Sequence, residues 1–210
     1  KLARWQWPGW RPVGQELREG FDLFGSRLSI SFYTTLVPLV LGWVSGPVAV
    51  AHFALADKLR SAAQSLLGPI SQALFPRMSH LFATDTAAAL RLVKRSALAI
   101  LLLAGSASIA LWLLADRLVL LLAGPEFLPA GPVLRWLAFL PLIIGFSNLF
   151  GVQIMLPNGM NRTFNLILMT AGVICIAVLW PLVHWMQARG AAASMLLVEL
   201  FVTGSMAHLL

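Results

Sequence analysis

Charge is scarce in this chain. Asp, Glu, Lys and Arg make up only 11% of its 210 residues, against the roughly 25% usual in a soluble domain. That scarcity excludes a fold that faces water on every side. Cysteine occurs once, as Cys175 within an apolar run, so neither an intrachain disulfide nor a CxxC metal site can form. The histidines His52, His80, His184 and His208 are scattered without ligand spacing, and no metal or other cofactor is expected. A Gly-rich phosphate loop is also lacking, which argues against nucleotide drive within this chain. Residues 1–20 carry Trp and charges instead of the apolar core of a signal peptide.

Apolar residues are abundant, at 59%, with a mean hydropathy of +0.84. Six runs are long enough to cross a bilayer, which takes ~20 helical residues. They fall at about 23–45, 47–76, 96–114, 132–156, 164–185 and 190–210. Gly46-Pro47, Gly124-Pro125, Gly131-Pro132 and Pro157-Asn158-Gly159 mark turns between them. Polar loops are expected at 77–95 and 116–131. The alternation of a membrane barrel is missing, so the expected fold is all-α, a polytopic bundle of about six transmembrane helices. Residues 1–21 read as a cytoplasmic, interfacial segment rich in Trp and Arg, and 22–210 as the membrane unit. Since the chain opens on Lys1 and closes inside an apolar run at Leu210, it reads as part of a longer protein.

The net charge of +7 is explained by topology. Lys1, Arg4, Arg11, Arg18, Arg77, Arg91, Lys94, Arg95 and Arg162 fall on one side of the membrane, and Arg117, Arg135 and Arg189 on the other. Nine against three places the N-terminal segment in the cytoplasm. The short basic loops carry no nucleic-acid motif, and no nucleic-acid partner is expected. The sequon Asn161-Arg162-Thr163 lies on the cytoplasmic side and is discounted. Trp136, Trp180 and Trp185, with Trp5, Trp7 and Trp10, lie near span ends as an interfacial belt.

Inside the spans, Asp57, Lys58, Arg60 and Arg27 are out of place. An ionisable group at membrane depth costs at least ~2.5 kcal/mol on insertion scales, so it normally faces a watery cavity or a partner. Arg27, Ser31, Thr34, Thr35, Pro38 and Gly42 share one helical face, and Asp57, Ser61, Gln64, Ser65, Gly68 and Gln72 share another. Small and hydroxylated residues on such faces serve helix packing, but three cations beside one acid call for water or an anion. Arg27, near a span end, has the alternative of snorkelling to the interface. Asp57 beside Lys58 is expected to neutralise it, leaving Arg60 as the better anion ligand. Glu199, about ten residues into the last run, has two readings: counter-charge to Lys58 or Arg60, or ion-coupling carboxylate. Pro38, Pro69, Pro141 and Pro181 interrupt spans, either as static kinks or as points of bending.

Three runs resemble the polysaccharide (O-antigen) flippase family of the multidrug/oligosaccharidyl-lipid/polysaccharide exporter superfamily. They are VAHFALADKLRSAAQSLLGPISQALFPRMS (50–79), LLLAGPEFLPAGPVLRWLAFLPL (120–142) and RGAAASMLLVELFVTG (189–204). The resemblance implies one lobe, the C-terminal one, of a two-lobe transporter whose other lobe lies upstream. It implies a non-enzymatic function in the bacterial inner membrane, translocation of an undecaprenyl-pyrophosphate-linked oligosaccharide by alternating access. In that setting Arg27, Lys58 and Arg60 would attract pyrophosphate, while Ser61, Gln64 and Gln72 would bind sugar. The alternatives are an exporter of organic cations, a membrane glycan polymerase or ligase, and a scaffold. A cation exporter calls for acids and aromatics in the cavity, and a polymerase for a large outer loop. The longest outer loop expected here is 116–131.

Overall fold

The structure is a computed structural model. It describes the backbone of residues 10–65 and 67–210 and the side chains of 35–65 and 67–210. The expectations for residues 1–9, and for side chains before Thr35 such as Arg27, Ser31, Thr34 and the N-terminal tryptophans, lie outside the described residues.

Helix α1 spans Trp10–Ser65 but is two arms joined at Gly46, whose φ of 81° and ψ of 176° are open to glycine and closed to side-chain-bearing residues. Pro47 follows with its fixed φ and restarts the helix. A Cβ on Gly42 would lie 3.3 Å from Val50 Cγ2, so the chain doubles back tightly here. The backbone shows no break at residue 21; the first arm is helical from Trp10. The second arm stops at Ser65, and α2 (Gly68–Thr84) begins. Pro69 sets this break, because a proline ring clashes with the carbonyl four residues back, here that of Ser65.

The segment expected as a loop at 77–95 is helical apart from Asp85. α2 continues through Pro76 to Thr84, and α3 runs from Thr86 to Ala123. Asp85 caps α3, its carboxylate accepting from the Ala88 N–H at 2.9 Å. At 1.5 Å per residue α3 is roughly 57 Å long, well beyond a ~30 Å hydrocarbon core. Its basic N-terminal turns therefore project past the lipid as helix. The outer loop shrinks in the same way. Asp116 and Arg117 belong to α3, Gly124 turns the chain with φ 87°, and α4 (Ala130–Leu137) already contains Gly131-Pro132. Asp116 pairs with Arg135 at 2.5 Å, tying α3 to α4.

Helix α5 (Leu140–Phe150) follows α4 after a short turn with Pro141 in its first turn. It passes into a π-helical turn, Gly151–Met155. Helices α6 (Asn161–Met186) and α7 (Ala188–His208) complete the chain, and Pro38 and Pro181 stay within continuous helix. Among the described residues, the two arms of α1, α3, the α4–α5 pair, α6 and α7 form six helical rods. Five described stretches are long and apolar enough to cross a membrane.

The core lies where α6 and α7 pack on each other and on α1, with α4 closing one side. Ala191, Ala192, Ala193 and Ser194 are buried on all sides of α7, and their small side chains let neighbouring backbones approach closely. Conversely, Leu101, Leu102, Ile109, Leu113 and Leu121 on α3 are largely exposed. Such a surface fits hydrocarbon and not water. The chain is a multi-pass membrane protein of all-α class.

Candidate functional site

Arg60 is only 9% exposed. Its Nε donates to Asp57 Oδ1 at 3.0 Å and one terminal nitrogen to the same oxygen at 2.5 Å. That nitrogen also donates to Ser61 Oγ at 2.9 Å, and the other terminal nitrogen donates to Gln64 Oε1. Helical spacing of three and four residues brings Asp57 and Gln64 to Arg60 on one arm. The carboxylate expected on Lys58 is thus on Arg60, and Lys58 is exposed. Arg60 is held by a counter-charge and two neutral acceptors, leaving Lys58 as the cation beside this cluster. Glu199 is buried at 8% and takes part in a polar interaction of its own. The ion pair of Arg60 is with Asp57.

Beyond Gln64 the chain forms a partly open cavity of about 440 Å³. The end of α1, α2, α3, α5 and the π turn all contribute to it. Its polar groups are Gln64, Ser71, Gln72, Ser96, Asn148 and Gln153, among apolar residues such as Ile70, Phe75 and Ile144. Among the described residues no charged side chain lines it. Arg60 reaches the cavity through its hydrogen bond to Gln64. Met78, Ile100, Ala104 and Leu149 form a separate buried cluster at the junction of α2, α3 and α5.

Gln64 and Gln72 were expected in such a cavity; Ser71, Ser96, Asn148 and Gln153 were not. Gln153 is 1% exposed, and its Oε1 has no hydrogen-bond partner among the described residues. An unmet buried acceptor costs about 1–3 kcal/mol unless a ligand or water supplies a donor. Sequence periodicity hides this residue, because at 100° per residue Asn148 and Gln153 stand about 140° apart on an α-helix. The π turn, closed by Leu156 N–H to Gly151 O at 3.1 Å, adds a residue to the turn and brings both to the cavity. Ser96 was hidden for another reason, since the basic run before it reads as loop.

The arrangement is chemically specific. Amides and hydroxyls set among apolar side chains match a sugar ring, which offers hydroxyls at its edge and C–H groups on its faces. Among the described residues no group of His, Cys, Asp and Glu could hold a metal ion.

Residues 9–82 match a family model described as "Polysaccharide biosynthesis protein". A relative from Escherichia coli (strain K12) is 36% identical over 92% of this chain and 47% of its own length. One from Shigella dysenteriae is 30% identical over 89% of this chain and 46% of its own length. Both carry the name "Putative O-antigen transporter". The chain therefore spans about half the length of these curated relatives. No solved structure matches it.

Proposed function

We propose that this chain, which belongs to the polysaccharide biosynthesis protein family, is one lobe of a flippase for lipid-linked oligosaccharides. The substrate is an undecaprenyl-pyrophosphate-linked oligosaccharide, moved across the bacterial inner membrane for surface polysaccharide. The lobe is the C-terminal one, its N-terminal segment is cytoplasmic, and the other lobe supplies the facing wall. The observation that carries the reading is the cavity of Gln64, Gln72, Asn148 and Gln153, whose described lining is uncharged, inside a membrane bundle with the Arg60–Asp57 pair beside it.

The roles divide by chemistry. Gln64, Gln72 and Gln153 exchange hydrogen bonds with sugar hydroxyls, and Ser61 supports Arg60. Arg60, Lys58 and Arg27 provide the positive field that draws the pyrophosphate toward the lobe. Asp57 keeps Arg60 extended toward Gln64, and Glu199 balances charge within the bundle. Alternating access then moves the polar headgroup past the hydrocarbon while the polyprenyl tail stays in lipid. No carboxylate is among the described lining residues, which gives no support to organic-cation export, and short outer turns give none to a polymerase or ligase.

The test is complementation of a strain lacking its own flippase with the full-length gene. Wild type restores surface polysaccharide. Arg60→Ala is expected to lower it at least about tenfold, the effect of ~1.4 kcal/mol on the transported state, and Arg60→Lys to retain part of it. Unchanged polysaccharide in Arg60→Ala would remove Arg60 from the mechanism. Cation efflux without polysaccharide rescue would overturn the substrate class.

A further inference from the structure

A second cavity, of about 590 Å³, lies at the opposite end of the second α1 arm. From His52 to Gln64 the helix rises about 18 Å. The Gly46 reversal, the α3–α4 connection and the α6–α7 turn frame this cavity, which opens to the surface where His184, Gln187 and Arg189 are exposed. Its polar lining is Ser45, His52, His184, Gln187 and Arg189, with Trp185 at the edge.

The polar part of this lining favours an anion. Arg189 carries a fixed positive charge in the first turn of α7, where the helix dipole is also positive. No acidic residue occupies that turn, and no side chain caps it. Among the described residues no carboxylate lines the cavity, and Asp116 on a neighbouring element is held by Arg135. Two imidazoles and an amide add polar N–H groups. Ser45 Oγ is enclosed without a hydrogen-bond partner among the described residues.

The site is also fixed in place. Gln187 adopts φ 50° and ψ −126°, a conformation that costs energy outside glycine and persists only where the surroundings impose it. The next turn leaves no slack, since a Cβ on Gly190 would fall 1.9 Å from the Leu182 carbonyl oxygen. Trp43 and Trp185 are 80% and 81% exposed, and Trp43 lies against Trp180 with ring centroids 5.4 Å apart. Exposed tryptophans in a membrane bundle sit at headgroup level.

We propose that this cavity is a second ligand site, binding the phosphate of a membrane-lipid headgroup at the end of the bundle remote from the Gln64–Gln153 cavity. The inference stands on the cavity, its basic and donor-rich lining and its tryptophan collar, and it does not depend on the glycan reading.

The test uses the full-length protein in detergent, with bound lipid counted by native mass spectrometry. Phosphatidylglycerol is titrated against wild type, Arg189→Ala and Arg189→Lys, with digalactosyldiacylglycerol as a phosphate-free lipid of similar bulk. Arg189→Ala is expected to weaken phosphatidylglycerol binding about fivefold, the effect of one basic residue at an anionic headgroup. Arg189→Lys should recover most of that loss, and the phosphate-free lipid should bind all three proteins alike. The His52→Phe/His184→Phe pair carries the same test should Arg189→Ala not fold. Equal phosphatidylglycerol binding across the variants would overturn the proposal. Ready displacement by inorganic pyrophosphate would overturn the lipid source and assign the cavity to a free anion.

Discussion

Asp57 and Arg60 lie one helical turn apart, and the half-buried Asp57 offsets the cost of burying Arg60. Arg60→Ala leaves Asp57 without its partner, an expected loss of about 1–3 kcal/mol, read as a lower midpoint in thermal unfolding of the purified protein. The Asp57→Asn/Arg60→Gln double variant should regain most of that stability without regaining export. Lys58→Gln should leave the midpoint unchanged, because Lys58 is exposed. Gln153 carries the sharper expectation. Gln153→Leu removes a buried acceptor that has no partner among the described residues. Its midpoint should equal or exceed that of wild type while polysaccharide export falls. A lower midpoint with intact export would show that Gln153 is a packing residue. At this scale sequence reading reached Gln64 and Gln72, because they follow α-helical spacing from Asp57. It paired Asp57 with the adjacent Lys58, whereas side chains one apart on a helix diverge and those three apart converge.

Elements were legible where glycine and proline act together. Gly46-Pro47 and Gly124-Pro125 read as turns, and both glycines have φ above 80° with ψ near 180°. Gly131-Pro132 has the same letters yet lies inside α4, because proline is welcome in a first helical turn. Gly46→Ala should therefore destabilise the protein by about 1–3 kcal/mol, visible as a lower unfolding midpoint, with little effect on glycolipid affinity in the protein that remains folded. The ends of α2 and α3 were not legible. Hydropathy reports depth in the bilayer, not backbone hydrogen bonding, so AAALRLVKRS reads as loop although Ala, Leu, Arg and Lys are all good helix formers. The π turn was likewise out of reach, since a 3.6-residue period presupposes its absence.

Among the described residues, apolar side chains lie on both sides of the fold: Leu, Val and Met fill the core, Leu, Ile and Trp also cover the outer surface, and polar groups gather around Arg60 and in the cavity. The class of fold followed from composition together with the lack of barrel alternation, since 11% charged residues point to a membrane protein and helices are then the remaining way to span. Its relatives extend to about twice its length, and the cavity on this chain is one wall of the proposed path. The central claim is that the sugar of a lipid-linked oligosaccharide occupies the cavity between Gln64 and Gln153. The most direct measurement places a photo-crosslinking residue at Gln72 in the full-length protein, in membranes making the glycolipid, with Leu121 as a lipid-facing control at 82% exposure. A sugar-bearing adduct at position 72 and not at 121 is the expected result. Adducts with ordinary phospholipid alone at both positions, in protein that still exports polysaccharide, would contradict it.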